Sequence, residues 1–556
     1  MESDKFLRLT TAIFGFLVII YCLITFAPLY SYCTSPTLIN DDVRQHLLPF
    51  YAQQNPDNFH DLFLVNYARA YLPIGYMGLF SMFSYFFDPI LFSKLLGAIL
   101  LLSAWIFSFL IGKRIGGPFC GFLCLLLTAH CEIIFENTFC GLFRSFGFPL
   151  MLAFIYCWIS RRLIIASIIL VLMSLFYPPV AMIAYPAFAM EFIVRIKHYL
   201  RTARPALICF CLAALAGGTF LLAMANRPDE YGEPASLKQA EQMPEWSRDG
   251  GRLQEIPLRT PVRYIRDACR RGLHSNKHGF EFLPLLTHNN FVRGDIFFNI
   301  FLAVIIVPLL IKRPFPLWFC YLACSSICLH FVSRALAFSF GWPDRYVNYC
   351  LPILSITAIP LAWTGTKRLG HHANIIFRSL LMLIVSGIFL VYPFGFGGIK
   401  HNVINTDRYQ SIMTFLRELD KPVMLAGWPK DTLDNVFVYA HREALVNYEL
   451  AYPLYDKYYE SIKRRMFDNL NLIYATDKKT IKAIRDKYNL THVILEPFFW
   501  TKKDKSEVFQ PYDSYVNTIL DNHPIKTFLL HNPPADWIVY QDKDFVLADL
   551  SRIDPH

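Results

Sequence analysis

Residues 11–30, TAIFGFLVIIYCLITFAPLY, carry no charged side chain, and after a short polar stretch the chain runs into NDDVRQH at 40–46. A helix of that length rises about 30 Å, the thickness of a bilayer's hydrocarbon core. No small-residue cleavage site follows it, so the block is expected to remain as a first membrane span rather than act as a signal peptide. Outward from it the same pattern recurs: 54% of the residues are hydrophobic and 17% charged, the apolar ones gathered in long blocks instead of alternating. Candidate spans lie near 10–30, 91–112, 117–135, 146–160, 163–178, 179–194, 205–225, 296–311, 316–334, 347–364 and 373–395, about eleven in all.

The block from Tyr71 to Phe87 is nearly long enough to cross, but it contains Pro73, Gly75 and Gly78 and ends at Asp88-Pro89. The positive-inside rule arbitrates. If this block stays at the outer interface, the basic breaks Lys113-Arg114, Arg161-Arg162, Arg195 to Arg204, Lys312-Arg313 and Lys367-Arg368 all fall on the side of Lys5 and Arg8. The expected topology is therefore a cytoplasmic N-terminus, a polytopic membrane domain over 1–398 with outer loops 31–90, 132–145 and 226–295, and a soluble extracytoplasmic α/β domain over 399–556.

The formal charge of +10 is spread over the loops. A nucleic-acid footprint needs a concentrated basic face, so that class of partner is excluded, and cytoplasmic membrane loops account for the basicity. Most of the 14 cysteines sit inside apolar blocks and none lies beyond Cys350, so neither a disulfide framework nor a zinc spacing is visible.

Three places on the expected outer face could carry chemistry. The adjacent carboxylates Asp41 and Asp42 can serve as a base or a metal anchor, or simply cap the helix that Val-Arg-Gln-His would start. Glu132 and Glu136, four apart, project from one face of a helical end, toward a cavity or toward water. In the third outer loop Arg259, Arg263, Arg266 and Arg270 align on one helical stripe beside Val262, Ile265, Cys269 and Leu273, the pattern of a helix lying on the membrane with an anion-seeking edge. His274, His278 and His288 lack tight metal spacing.

The order of these features resembles the C-type (GT-C) fold of membrane glycosyltransferases, which take a sugar from a polyprenyl-phosphate carrier on the extracytoplasmic face. The likeness covers roughly the first 350 residues: an acidic motif just after the first span, interfacial helices, and a second acidic position after the third span. Arg144-Ser-Phe-Gly-Phe-Pro, Phe176-Tyr-Pro-Pro and Trp342-Pro-Asp-Arg-Tyr-Val are similar to segments of bacterial members. The resemblance implies an all-α membrane domain and a hexosyl- or pentosyltransferase in the inner membrane of a bacterial envelope. Asp41 or Asp42 would orient or deprotonate the acceptor nucleophile, and Glu132 or Glu136 would supply the second acidic group. Many members have Asp at that second place and some need a divalent metal there, so a metal is allowed but not required by this sequence.

A polyprenyl-phosphate donor needs cations where its phosphate leaves, and Arg334 and Arg345, at the outer ends of neighbouring spans, are candidates that could equally snorkel to lipid phosphates. By the same resemblance Arg44, His46, Arg144, Tyr177, Arg263, Arg266 and Tyr346 are expected substrate contacts. The partners implied are a lipid-linked sugar donor, a glycan, lipid or protein acceptor, and membrane lipids.

Beyond about residue 400, strand-like runs such as Val423 to Ala426 and His492 to Leu495 alternate with helical runs such as Lys479 to Tyr488, and no Gly-rich phosphate loop follows Ala426-Gly-Trp-Pro. The aromatic run from Tyr448 to Tyr455, with Tyr458-Tyr459, is read mainly as packing, with sugar stacking the alternative. Two other functions fit less well. A transporter or flippase would bury ionisable groups in mid-span, and a lipid-linked glycan polymerase or ligase would rest on outer-loop Arg and His instead of the acidic pair.

Overall fold

The computed structural model describes residues 2–225, 229–254, 260–271, 315–336, 338–365, 402–501 and 507–553. The calls at 296–311, 373–395, His274, His278 and His288 lie outside them.

The membrane part is all-helical. Its longest helices start and stop where local chemistry dictates. Pro89–Gly116 begins with Asp88 accepting the Leu91 amide at 3.0 Å and Pro89 in its first turn, and it ends with Lys113 and Arg114 in the last turn before Gly117 at φ 92°. Those are the cap, the dipole-matched charges and the left-handed stop that a helix of this kind needs. The first helix, Glu2–Thr34, buries Phe14, Val18, Tyr21, Leu29 and Tyr32 while Leu9, Phe16 and Leu23 stay exposed. Large apolar side chains left outward over that length face lipid.

Among the described residues, five helices are long and apolar enough to cross a membrane: Arg8–Thr34, Pro89–Gly116, Arg204–Ala223, Leu317–Ala335 and Pro343–Thr364. The total rises to seven if two bent pairs are counted as one span each. The candidate span 117–135 is one such pair, Pro118–His130 and Glu132–Thr138 meeting at 67°, and 179–194 leads into another, Pro178–Val194 and Ile196–Thr202 at 80°. The candidates at 146–160 and 163–178 are the shorter helices Gly147–Ile159 and Leu163–Phe176. Thirteen or fourteen residues rise only about 20 Å against a hydrocarbon core of about 30 Å, so the full count of about eleven spans is not reproduced among the described residues. Ile74–Phe83, in the Tyr71 block, is shorter still.

The C-terminal part carries a five-stranded sheet of β3 (Met424–Ala426), β4 (Glu443–Ala444), β5 (His492–Leu495), β6 (Ile538–Gln541) and β7 (Val546–Asp549) in the order β4-β3-β5-β7-β6. β3 runs parallel to β4 and β5, and β7 is antiparallel to β5 and β6. Two further strands, β1 (Leu38–Asn40) and β2 (Val403–Asn405), pair antiparallel with Ile39 opposite Ile404, tying the residues just before Asp41 to the start of the C-terminal part. The segment between Thr34 and Pro89 docks there too. Tyr67 stacks on Tyr458 at 3.4 Å and Arg465 reaches Asp61 at 2.5 Å. None of the fourteen cysteines is in a disulfide.

Candidate functional site

A cavity of about 390 Å³ opens where the segments joining the apolar helices meet the C-terminal part. Asp42 and His46 enter it from the two ends of the short helix Val43–His46, and Glu132 and Glu136 from the bend after His130. Arg144 comes from the 3-10 turn Phe143–Phe146, Tyr177 from the break before Pro178, and Arg345 from the helix Pro343–Asn348. Seven residues singled out from sequence are thereby brought to one cavity, although up to about 300 positions separate them in the chain.

Two glycines set the approach that places Arg144. Gly141 has φ +64° and its missing Cβ would stand 1.8 Å from the Ser93 carbonyl oxygen, while a Cβ on Gly97 would stand 1.9 Å from the Phe139 carbonyl oxygen. Backbone thus meets backbone between Pro89–Gly116 and the turn ahead of Arg144, a contact only glycine permits. Arg144 then pairs with the Asp42 carboxylate, whose other oxygen accepts from the Gln45 amide at 3.2 Å. Burial pushes the Asp42 carboxyl up, but Arg144, with help from Arg252 and Gln45, pulls it below the ordinary carboxylate range. Burial lowers His46 to about 3, so its imidazole is neutral, stacked against Tyr71 at 6.1 Å and edge-on to Phe143 at 4.8 Å.

Arg345 is hydrogen-bonded to the Tyr71 phenol and lies beside Tyr177 and Tyr349. Tyr349 donates to Asn137 at 3.2 Å and Asn348 donates to Asp344 at 2.9 Å. Tyr71, Asn137, Asp344, Asn348 and Tyr349 also line the cavity, and sequence reasoning missed them as site residues. Asp344 stood within the quoted Trp342-Pro-Asp-Arg-Tyr-Val, so a signal was there, whereas Asn137 became visible only once the bend at Cys131 was known.

Other candidates are placed elsewhere. Asp41 points away from the cavity and pairs with Arg44, which is 1% exposed and also meets Asp431 at 2.7 Å, Glu449 at 3.5 Å and Asp434 at 3.7 Å. Arg44 is thus occupied in fastening the segment after the first helix to the C-terminal part. Burial raises the carboxyls of Asp434 and Glu449 despite this cation. Tyr346 is buried and donates to the Phe340 carbonyl at 2.7 Å instead of facing the cavity, and Arg334 ends Leu317–Ala335 without lining it. Arg263 and Arg266 face outward on Pro261–Arg271, next to Asp267. That helix packs on Leu351–Gly365 and Pro343–Asn348 with Ala268 buried, and Val262, placed by sequence on the apolar stripe, is exposed. In the C-terminal run, Tyr458 and Tyr459 are packing residues, but Tyr452 lines the cavity.

No protein-family model and no curated protein matches the sequence. Solved structures do match. The crystal structure of the Archaeoglobus fulgidus oligosaccharyltransferase in the apo form superposes over 91% of this chain and 71% of that one, at a TM-score of 0.50 and 12% identity. The likeness is one of fold. The same enzyme tethered to an acceptor peptide containing the NVT sequon matches at TM-score 0.47 and 13% identity, over 92% of this chain and 71% of that one. Its complex with an inhibitory peptide and a dolichol-phosphate matches at 0.45 and 12%, over 87% and 69%. The shared fold extends the resemblance read from the first 350 or so residues into the C-terminal part, since 91% of the chain superposes.

Proposed function

We propose that this chain is an integral membrane glycosyltransferase that moves a sugar from a polyprenyl-phosphate carrier to an acceptor hydroxyl, with Asp42 beside the nucleophile. The observation that carries the reading is the cavity in which Asp42, Glu132 and Glu136 share one space with Arg144 and Arg345. Direct displacement needs an anion at the attacking atom and fixed cations where phosphate charge develops. The acceptor oxygen bonds to the anomeric carbon, the bond from that carbon to the phosphate oxygen breaks, and its electron pair leaves on the carrier phosphate, which Arg345 is placed to hold. The acceptor's proton passes to Asp42 and then to water. A carboxylate held below its ordinary range is a weak base, so it orients the hydroxyl first and takes the proton as the new bond makes that oxygen acidic. Of the adjacent pair, Asp42 is favoured because Asp41 is paired away from the cavity with Arg44.

Some members of the resembling fold use a divalent metal. The donor set here does not fit one: among the described residues no three His, Cys, Asp or Glu side chains gather to hold an ion, and both Asp42 oxygens are engaged by Arg144 and Gln45. The basic breaks between spans support a cytoplasmic N-terminus and a cavity on the outer face of the cell-envelope membrane.

Mass spectrometry of envelope lipids tests this in cells carrying the native protein, none, or Asp42→Asn at matched level. One polyprenyl-phosphate sugar is expected to accumulate in the null and in the variant. An unchanged lipid profile with folded protein present would overturn the reading in favour of transport.

A further inference from the structure

The cavity lining divides by origin. The membrane helices supply its charged side, whereas Leu253, Trp342, Tyr452 and Leu454 come from the third outer loop, the turn after Leu317–Ala335 and the C-terminal part. We infer that this second side is an acceptor subsite for a sugar ring, with Trp342 and Tyr452 as stacking platforms and Arg252 as the residue that positions Tyr452. The inference rests on the proposed transferase reading and names the acceptor class for the same cavity.

The platform is built before any ligand arrives. Trp342 is backed by Trp246 and Phe338, each 5.6 Å away between ring centroids, in a small core that also takes in Leu253 and Leu454. Backbone bonds zip the outer loop to the C-terminal segment, Ala235 N–H to Leu454 at 2.8 Å and Asp456 N–H to Glu233 at 3.1 Å. Arg252 lies 4.8 Å from the Tyr452 ring and 4.0 Å from the Tyr448 ring, and is anchored to Glu449 at 2.9 Å. Three segments distant in sequence therefore hold two aromatic side chains at the rim of a polar cavity, which preorganises them at little entropic cost on binding.

The neighbouring polar groups suit a carbohydrate. A pyranose shows an apolar C–H face, which an aromatic ring covers, and adjacent hydroxyls, which planar carboxylate and amide groups bridge in pairs. Beside the platforms stand the paired Asp344 and Asn348, and Asn137 held by Tyr349. A volume of about 390 Å³ lies at the low end for small-ligand sites, with room for reacting sugars and not for a polyprenyl tail.

The test is saturation-transfer NMR on the full chain in nanodiscs with a panel of methyl glycosides of common hexoses and pentoses. The native protein and Asp42→Asn are both expected to bind members of the panel, so binding is read independently of turnover and of the lipid experiment above. Trp342→Leu and Tyr452→Leu are expected to weaken binding at least about tenfold, and Trp342→Tyr and Tyr452→Phe to keep it. Arg252→Met is expected to weaken binding, with Arg252→Lys restoring it through the same cation–ring and Glu449 contacts. Absence of glycoside binding to the native protein, equal loss in the leucine and aromatic variants, or displacement of bound glycoside by short acceptor peptides would each overturn the inference.

Discussion

Replacing Asp42 and Asp41 singly by Asn separates chemistry from architecture at adjacent positions. Asp42→Asn removes the anion beside the nucleophile, and loss of a group of that kind slows a reaction by about 10²–10⁴, or about 3–5 kcal/mol of barrier. It also leaves Arg144 without its partner. The two side chains are 20% and 23% exposed, between the limits for surface and buried pairs, so the stability lost is about 1–3 kcal/mol. Asp41→Asn differs. Asp41 is 38% exposed, and the Arg44 it contacts keeps Asp431, Asp434 and Glu449, so a loss of about 1 kcal/mol or less and turnover within about tenfold of native are expected. The assay is turnover of the carrier lipid purified from null cells by reconstituted protein, with thermal unfolding measured on the same samples. If Asp41→Asn were as inactive as Asp42→Asn while itself unfolding at the native temperature, the assignment of Asp42 would be refuted.

Arg44→Met should strand the surrounding carboxylates at a buried junction and cost about 3–5 kcal/mol, read as earlier unfolding and faster proteolysis between the two parts, with Asp434→Asn restoring part of the loss. Because Asp434 and Glu449 titrate above their ordinary range, their contribution to docking is fully present below the unfolded carboxylate values and is lost as pH rises through the raised ones. Hydrogen-exchange protection at residues 431–450 should therefore increase as pH is lowered from about 8 to about 5. Asp42 has the opposite sign: its charged form persists below the ordinary carboxylate range, so the acid limb of the turnover profile should lie below about pH 4. Gly141→Ala adds a left-handed residue and a Cβ 1.8 Å from the Ser93 carbonyl oxygen, so about 2–4 kcal/mol of stability should go, and turnover with it as Arg144 shifts.

Residues whose position depends on local pattern were legible in the sequence, and those whose position depends on docking were not. Asp42, Glu132, Glu136, Arg144 and Arg345 stand at the ends of apolar blocks, where a membrane fold places polar chemistry, and all five line the cavity. Arg44 shows why the method stops there. Nothing in Asp-Val-Arg-Gln-His distinguishes a guanidinium for substrate from one spent on Asp431 and Glu449, about 390 and 400 positions later. The number of spans is not set by apolar composition alone, for a different physical reason. Apolar composition reports lipid or protein surroundings alike: Gly147–Ile159 is almost wholly buried among other helices, while the similarly apolar Leu163–Phe176 turns Ile164, Ile165 and Ile168 outward.

The Arg44 junction also bears on how the two parts act together. Four carboxylates around Arg44, with Arg252 behind Glu449, contribute little net stability, because each charge is costly to remove from water. A buried ionic junction is stringent about geometry, since any slip of one part on the other strands a charge. That stringency matters here because one member of the cluster, Asp41, is bonded along the chain to Asp42, and another, Glu449, is joined through Arg252 to the Tyr452 ring. The same ionic contacts that set the register of the C-terminal part therefore fix the spacing between the candidate base and the acceptor platform. An apolar interface of equal area would hold the two parts together at least as firmly, but it would leave that spacing free to drift by the fraction of an ångström to which displacement at carbon is sensitive.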